Sequence, residues 1–265
     1  MYSAASDKPL KYMDIQPDFR KEARRIVDHA TTDGILLRLM GALAFNLHCP
    51  KFGNMQAMLG RTYTDIDFAS YRRYVTDIRK LLSRLGYEED SMVTNLYGNR
   101  RLVFNDLRNG RHCDVFLDKL EFCHDIIFVG RLEVDSPTIP LAELLLEKMQ
   151  IVKLNEKDVI DTVMLLREHQ VGDSDSETIN STHIANLTAR DWGLWKTVTS
   201  NLNRVKQLIP EMEKLSDEDR KDVLGKIDSL LSRADREPKT ASWKMRAKIG
   251  EKKKWYRDVE ELTQL

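Results

Sequence analysis

The chain reads as an α/β (α+β) protein, with a small mixed β-sheet flanked by helices and a helical C-terminal region. Three observations predict this. Short apolar runs of strand length stand near residues 35–40, 65–68, 101–105 and 112–117. Between them, Tyr74, Ile78, Leu81, Leu82 and Leu85 recur at helical spacing, with Gly86 as a C-terminal stop. Beyond residue 177 the apolar pattern is helical throughout.

Residues 1–16 are polar and read as a loose arm. A helix is expected from Asp18 to about Thr31, docked by Ile26 and Val27. Ile35-Leu36-Leu37-Arg38-Leu39-Met40 is too continuously apolar for a solvated helix and reads as a buried strand, with Gly41 turning the chain into a helix over 42–47. Pro50 to Arg61 reads as a loop. A second strand covers Asp65 to Phe68, and an amphipathic helix follows from Ser70 to Leu85. Arg101 to Asn105 and His112 to Leu117 read as strands joined by the tight Asn109-Gly110 turn. Further strands are expected at Ile126 to Val129 and Leu132 to Val134. Beyond Pro140 a helix is predicted over 141–153. Asn155-Glu156-Lys157-Asp158 is a cap and first turn for one reaching His169. The polar, acidic stretch from Gly172 to Glu177 is the clearest linker and divides 1–171 from 177–265. Helices are expected over 181–188, 191–209 and 216–233. The last has Ser216 as N-cap and Asp217, Glu218 and Asp219 in its positive first turn.

The 265 residues are enough for one large domain or two modest ones. Lys+Arg and Asp+Glu both total 42, so the formal net charge is zero, which argues against a surface that is basic everywhere but leaves room for a local basic groove. No run of eighteen apolar residues suggests a membrane span, and the start lacks the apolar core of a secretory signal, so a cytoplasmic location is expected. Cys49, Cys113 and Cys123 form no CxxC pair, and disulfides are not expected. Cys49 beside His48 suggests a nucleophile or a zinc ligand. A small buried residue beside a polar neighbour is the simpler reading, because no second Cys/His pair stands at ligand spacing.

The chemistry centres on Arg61-Thr62-Tyr63-Thr64-Asp65-Ile66-Asp67-Phe68. In a strand, residues two apart share a face, so Asp65 and Asp67 project together while Ile66 and Phe68 project oppositely. One face becomes a candidate cation site and the other a candidate core. Such a pair also stands at many solvated strand ends. Upstream, Leu39-Met40-Gly41-Ala42-Leu43 is a small-residue turn into a helix. Downstream, Cys113-Asp114-Val115-Phe116 places a third carboxylate in an apolar run. Magnesium takes oxygen ligands in octahedral geometry, so a set of aspartates without histidine or thiol suits it.

This order of glycine turn, Asp-x-Asp and third acid resembles the nucleotidyltransferase superfamily (DNA polymerase beta-like fold). The wording of Leu36-Leu37-Arg38-Leu39-Met40-Gly41-Ala42-Leu43-Ala44, followed by Arg61-x-x-x-Asp65-Ile66-Asp67, is similar to its AbiEii/AbiGii toxin-type branch. The resemblance covers about residues 30–170. It implies a Mg²⁺-dependent transfer of a nucleoside monophosphate from an NTP to an acceptor hydroxyl, with RNA or protein as the favoured acceptor. In that scheme Asp65 and Asp67 hold the metal of the β,γ-phosphates, and Asp67 and Asp114 hold a second, with Asp114 also placed to accept the acceptor's proton. Gly41 lets backbone N–H groups approach a phosphate at a helix start. Ala42 departs from the family's usual Gly or Ser and removes a hydroxyl contact. Arg61, four residues before Asp65, is placed to steady a phosphate or to pair with a nearby acid. Arg100 and Arg101 read as a solvated strand edge.

The run containing Lys148, then Asn155-Glu156-Lys157-Asp158-Val159-Ile160-Asp161, resembles the lysine and Lys-x-x-Asp motifs of the same branch. By that resemblance Lys148 is a phosphate ligand and Asp158 a supporting acid, with Asp161 a close alternative. Lys157 and Asp161 also stand at i,i+4, the spacing of an ordinary surface ion pair. In the tail, Asp191-Trp192-Gly193-Leu194-Trp195 and Lys254-Trp255-Tyr256 read as helix anchors or as stacking platforms for a nucleic acid. The basic segment over 244–254 fits RNA or an acidic partner. A toxin of this kind implies a separately encoded antitoxin. A catalytically silent member of the fold and a small-molecule, aminoglycoside-type nucleotidyltransferase are the alternatives.

Overall fold

The computed structural model describes residues 15–58, 62–97 and 99–259. In chain order its first elements are α1 (Phe19–Thr32), β1 (Leu37–Met40), α2 (Gly41–His48), α3 (Asn54–Met58), β2 (Asp65–Ser70), α4 (Val75–Arg84), β3 (Glu88–Glu89) and α5 (Ser91–Tyr97). Next come β4 (Arg101–Asp106), β5 (Arg111–Leu117), β6 (Lys119–Glu121), β7 (Asp125–Ile127), α6 (Leu141–Met149) and α7 (Glu156–Glu168). Short β8 (Gln170–Gly172) and β9 (Thr178–Asn180) lead into α8 (Ser181–Thr188), α9 (Trp192–Leu208), α10 (Asp217–Arg236) and α11 (Ala241–Ile249). The class is the expected one: mixed α/β, with a mixed five-stranded sheet and a helical C-terminal region. No helix among the described residues is long and apolar enough to cross a membrane.

The chain forms two compact units, and each takes described residues from separate stretches. The first draws on 15–43, 63–119 and 128–138, the second on 44–62, 120–127 and 139–259. The expected division at 171/177 falls inside the second unit. There Val171 of β8 pairs with Ile179 of β9, and the Ser181 hydroxyl donates to the Gly172 carbonyl. The acidic stretch is therefore a bend connecting two short strands that pair in parallel, because the apolar residues that flank it have partners in each other.

In the first unit the sheet runs in the order β1-β2-β5-β4-β3, with β2 and β5 parallel and the other pairings antiparallel. Alternation decides its two faces. Ile66 and Phe68 of β2, Cys113 and Val115 of β5, and Leu102 and Phe104 of β4 are all buried, as are Ile26 and Val27 of α1 and Ile78, Leu81 and Leu82 of α4. Each such aliphatic or aromatic side chain contributes about 1.5–3 kcal/mol on burial. Asp18 starts α1 by accepting from the Arg20 and Lys21 N–H groups.

A charged pair lies among these apolar side chains. Arg111 at the start of β5 is fully buried, and its Nε and Nη2 donate to Asp106 Oδ2 at 2.9 and 2.7 Å. The guanidinium also stands over the Phe19 ring, 5.3 Å from its centre. Burial raises the Asp106 carboxyl, and the bonds from Asn109 and Arg111 with the Arg111 charge outweigh it, so the group ends below its ordinary value of 3.8.

Three local expectations change. The loop over 50–61 contains α3, whose Met55 and Gln56 are buried. The stretch from Leu132 to Val134 is a run of turns instead of a strand. Val134 N–H bonds to the Arg131 carbonyl, and the Tyr71 hydroxyl lies 2.6 Å from Glu133 Oε2 while accepting from Gly130 N–H. These bonds hold the stretch as turns against Tyr71. The helix expected from Ser70 starts at Val75, because Ser70 ends β2 and its hydroxyl donates to the Leu36 carbonyl. Short β3, β6, β8 and β9, and α5, were not visible in the pattern.

Replacing Asp106 by Asn leaves the Arg111 charge buried with no counter-charge, and about 3–5 kcal/mol of stability is expected to go, read as a lower urea midpoint. The sign with pH follows from the lowered carboxyl. Its contribution is complete above about pH 4 and fades as pH falls through the folded-state value, so the variant's stability should fall less steeply in acid than the wild type's.

Candidate functional site

The first unit presents the three aspartates on one face of its sheet. Asp65 and Asp67 are half-buried while Ile66 and Phe68 between and after them are sealed, which is the period-two pattern of β2. In the parallel register Asp67 stands beside Asp114 of β5, and Asp65 beside His112. Asp114 is buried, and Thr64 Oγ1 donates to Asp65 Oδ2 at 2.9 Å.

Gly41 completes this corner. Met40, the last residue of β1, pairs with Asp67 across the antiparallel β1–β2 ladder, so the turn into α2 passes directly over that carboxylate. Gly41 has φ +68°, and a Cβ built there would meet Asp67 Oδ2 at 2.2 Å. Both the backbone sign and the space demand glycine. Ala42 follows in the first turn of α2. Arg61 lies outside the described residues.

Arg101 is the residue the sequence reading misjudged. Arg100 is exposed as expected of a strand edge, but the Arg101 side chain is only 24% exposed and folds onto the acid face. Its Nε donates to Asp114 Oδ1 at 2.9 Å and its Nη2 to Asp114 Oδ2 at 2.6 Å, a bidentate fork. The guanidinium also lies over the Phe116 ring at 5.1 Å. Burial works against its charge, but the bonds to Asp114 and the fields of Asp114, Asp67 and Asp65 together hold its pKa above the ordinary arginine value. A two-residue Asn109-Gly110 turn would set Arg101 opposite Asp118, whereas the four-residue loop over 107–110 sets it opposite Phe116, on the same face as Asp114 two residues along.

As donors for magnesium, Asp65 and Asp67 are the right chemistry on an accessible face. Asp114 differs, since both of its oxygens are engaged by Arg101. Among the described residues no group of three or more His, Cys, Asp or Glu side chains lies close enough together to hold one metal ion.

The second unit brings Lys148, Asp158 and Asp161 together. The Lys148 Nζ lies 3.1 Å from Glu147 Oε1, 3.5 Å from Asp161 Oδ2 and 3.7 Å from Asp158 Oδ1, and 5.3 Å from the centre of the Phe45 ring. Asp161 is wholly buried and also accepts from Gln56 Nε2 at 2.8 Å, so it is no surface partner of Lys157. Asp158 closes the α7 capping box with Asn155. Gln56 carried no sequence signal, because it lies in a stretch without periodicity. A cleft of about 380 Å³ runs past Lys148 and Asp158, lined also by Phe122, Lys153, Tyr256 and Arg257.

The remaining candidates are structural. The thiols of Cys49, Cys113 and Cys123 are free and buried. Burial, then Glu168 and Asp161, push Cys49 well above the ordinary thiol range, and burial with His169 lowers His48 to about 4, so neither is a primed nucleophile or base. Trp195 meets Trp243 edge-on at 5.2 Å, and Trp255 Nε1 donates to Thr197 Oγ1, which makes these rings helix anchors. Comparison of the chain with protein-family models, with curated proteins and with solved structures finds no match.

Two stability tests separate these causes. Gly41→Ala should cost roughly 2–4 kcal/mol, positive-φ strain plus overlap, whereas Gly34→Ala, at φ +72° with open space around it, should cost only about 1–2 kcal/mol. Lys148→Met leaves buried Asp161 without its cation and should cost about 3 kcal/mol or more, against less than about 0.5 kcal/mol for Lys157→Met. Thermal and urea unfolding of the four variants decides both comparisons.

Proposed function

We propose that the chain is a magnesium-dependent nucleotidyltransferase that moves a nucleoside monophosphate from an NTP to an acceptor hydroxyl on RNA or protein. The reading is supported above all by one arrangement: Asp65 and Asp67 side by side on β2, Asp114 next to Asp67 in register, and a glycine whose missing side chain leaves Asp67 its space. Phosphoryl transfer asks for positioning and for relief of charge on oxygen, and this face offers carboxylates at fixed spacing on paired strands. Asp65 and Asp67 are the residues that would hold a magnesium ion. Bound there, the ion would neutralise phosphate charge. Asp114 is held rigidly by Arg101 and supplies a fixed acceptor beside Asp67 for the incoming hydroxyl. For Lys148, in the second unit, the role of phosphate ligand rests on the wording of its motif. The toxin role, with an antitoxin partner, rests on the wording of the motifs.

A silent nucleotide-binding module is the second reading, favoured by the hold of Arg101 on Asp114. One experiment separates the two. Purified protein is incubated with each α-labelled NTP, magnesium, total RNA and cell protein, beside an Asp65→Ala/Asp67→Ala control. Label is expected in a macromolecular band and is expected to be lost in the control. NTP-dependent thermal stabilisation without any label would leave the binding module, and neither signal would remove both readings.

A further inference from the structure

We propose that the Arg101 guanidinium stands in for the second divalent cation of the acid face, so that the site takes one exchangeable metal ion, at Asp65 and Asp67, instead of two. The inference rests on the nucleotidyltransferase reading and concerns how its charge is balanced. A two-ion scheme needs Asp67 and Asp114 to share a metal. The structure instead gives both Asp114 oxygens to Arg101, at 2.9 and 2.6 Å.

That contact is built in at several levels. The β4–β5 register sets Arg101 opposite Phe116, so its side chain emerges on the acid face and lies along the Phe116 ring. The planar fork engages both carboxylate oxygens at once. At 24% exposure beside a carboxylate at 8%, the pair is shielded from water, so swinging the guanidinium away forfeits two charge-assisted bonds and the ring contact together. Arg101 is thus a positioning residue. It keeps Asp114 in place and free of metal, while the exchangeable ion stays with the Asp65–Asp67 pair.

The test counts ions and does not depend on turnover. The full chain is saturated with a non-hydrolysable α,β-methylene NTP, and bound Mn²⁺ per chain is measured by electron paramagnetic resonance, with thermal unfolding to verify folding. About one bound Mn²⁺ is expected for wild type and for Arg101→Lys, which keeps the charge. About two are expected for Arg101→Ala, which uncovers Asp114. Two ions in the wild type, or an unchanged count in a folded Arg101→Ala, would overturn the proposal while leaving the transferase reading intact. No bound Mn²⁺ and no analogue binding would overturn that reading and this inference with it. If Arg101→Ala fails to fold, the counts in wild type and Arg101→Lys still decide.

Discussion

The parallel pairing of β2 with β5 is the constraint on which the first unit depends. It sets Ile66 beside Cys113 and Phe68 beside Val115 on the sealed face, and Asp67 beside Asp114 on the other. A slip of one residue would turn both aspartates of β2 into the core and expose an isoleucine and a phenylalanine. The core therefore enforces the geometry of the acid face. The glycine follows from the same register. Because Met40 lies across from Asp67, the chain leaving β1 must cross that carboxylate, and only a residue without Cβ can do so.

Charge is handled differently on the two faces. On the sealed side, Asp106 and Arg111 are both fully buried and pair at a hairpin end, with Arg111 Nη1 left without a hydrogen-bond partner, and Glu22 takes bonds from Arg25 and Tyr87. Such pairs resist change because breaking either leaves a charge without water. On the acid face the Arg101 guanidinium holds both oxygens of buried Asp114, while Asp65 and Asp67 are half-exposed. In the second unit buried Lys148 has three acids within 4 Å.

Much of this was legible from residues. The alternation in Asp65-Ile66-Asp67-Phe68, the helix stop at Gly86 and the Asn155 and Ser216 caps are all local signals, and each produced the element it announced, whereas the tight turn expected at Asn109-Gly110 is the end of a four-residue loop over 107–110. The grouping of Lys148 with Asp158 and Asp161 also emerged, although the pairing within it did not, since an i,i+4 spacing names Lys157 when burial selects Lys148. Arg101 looked like a strand edge because its role depends on which strand lies beside it. Gln56 was invisible, as its partner Asp161 is distant in sequence. The linker at 172–177 misled because polar composition describes a turn as well as it describes a boundary.

The sequence by itself determined the class, the position of most elements and the face on which Asp65 and Asp67 stand, because strand and helix periods are local properties of the chain. Tertiary structure alone decided that Asp114 lies beside Asp67, that Arg101 closes over Asp114, that Gly41 has no room for a methyl group and that two compact units are each assembled from separate stretches. Those facts depend on strand order and register, which arise only when distant segments bury their apolar faces against each other.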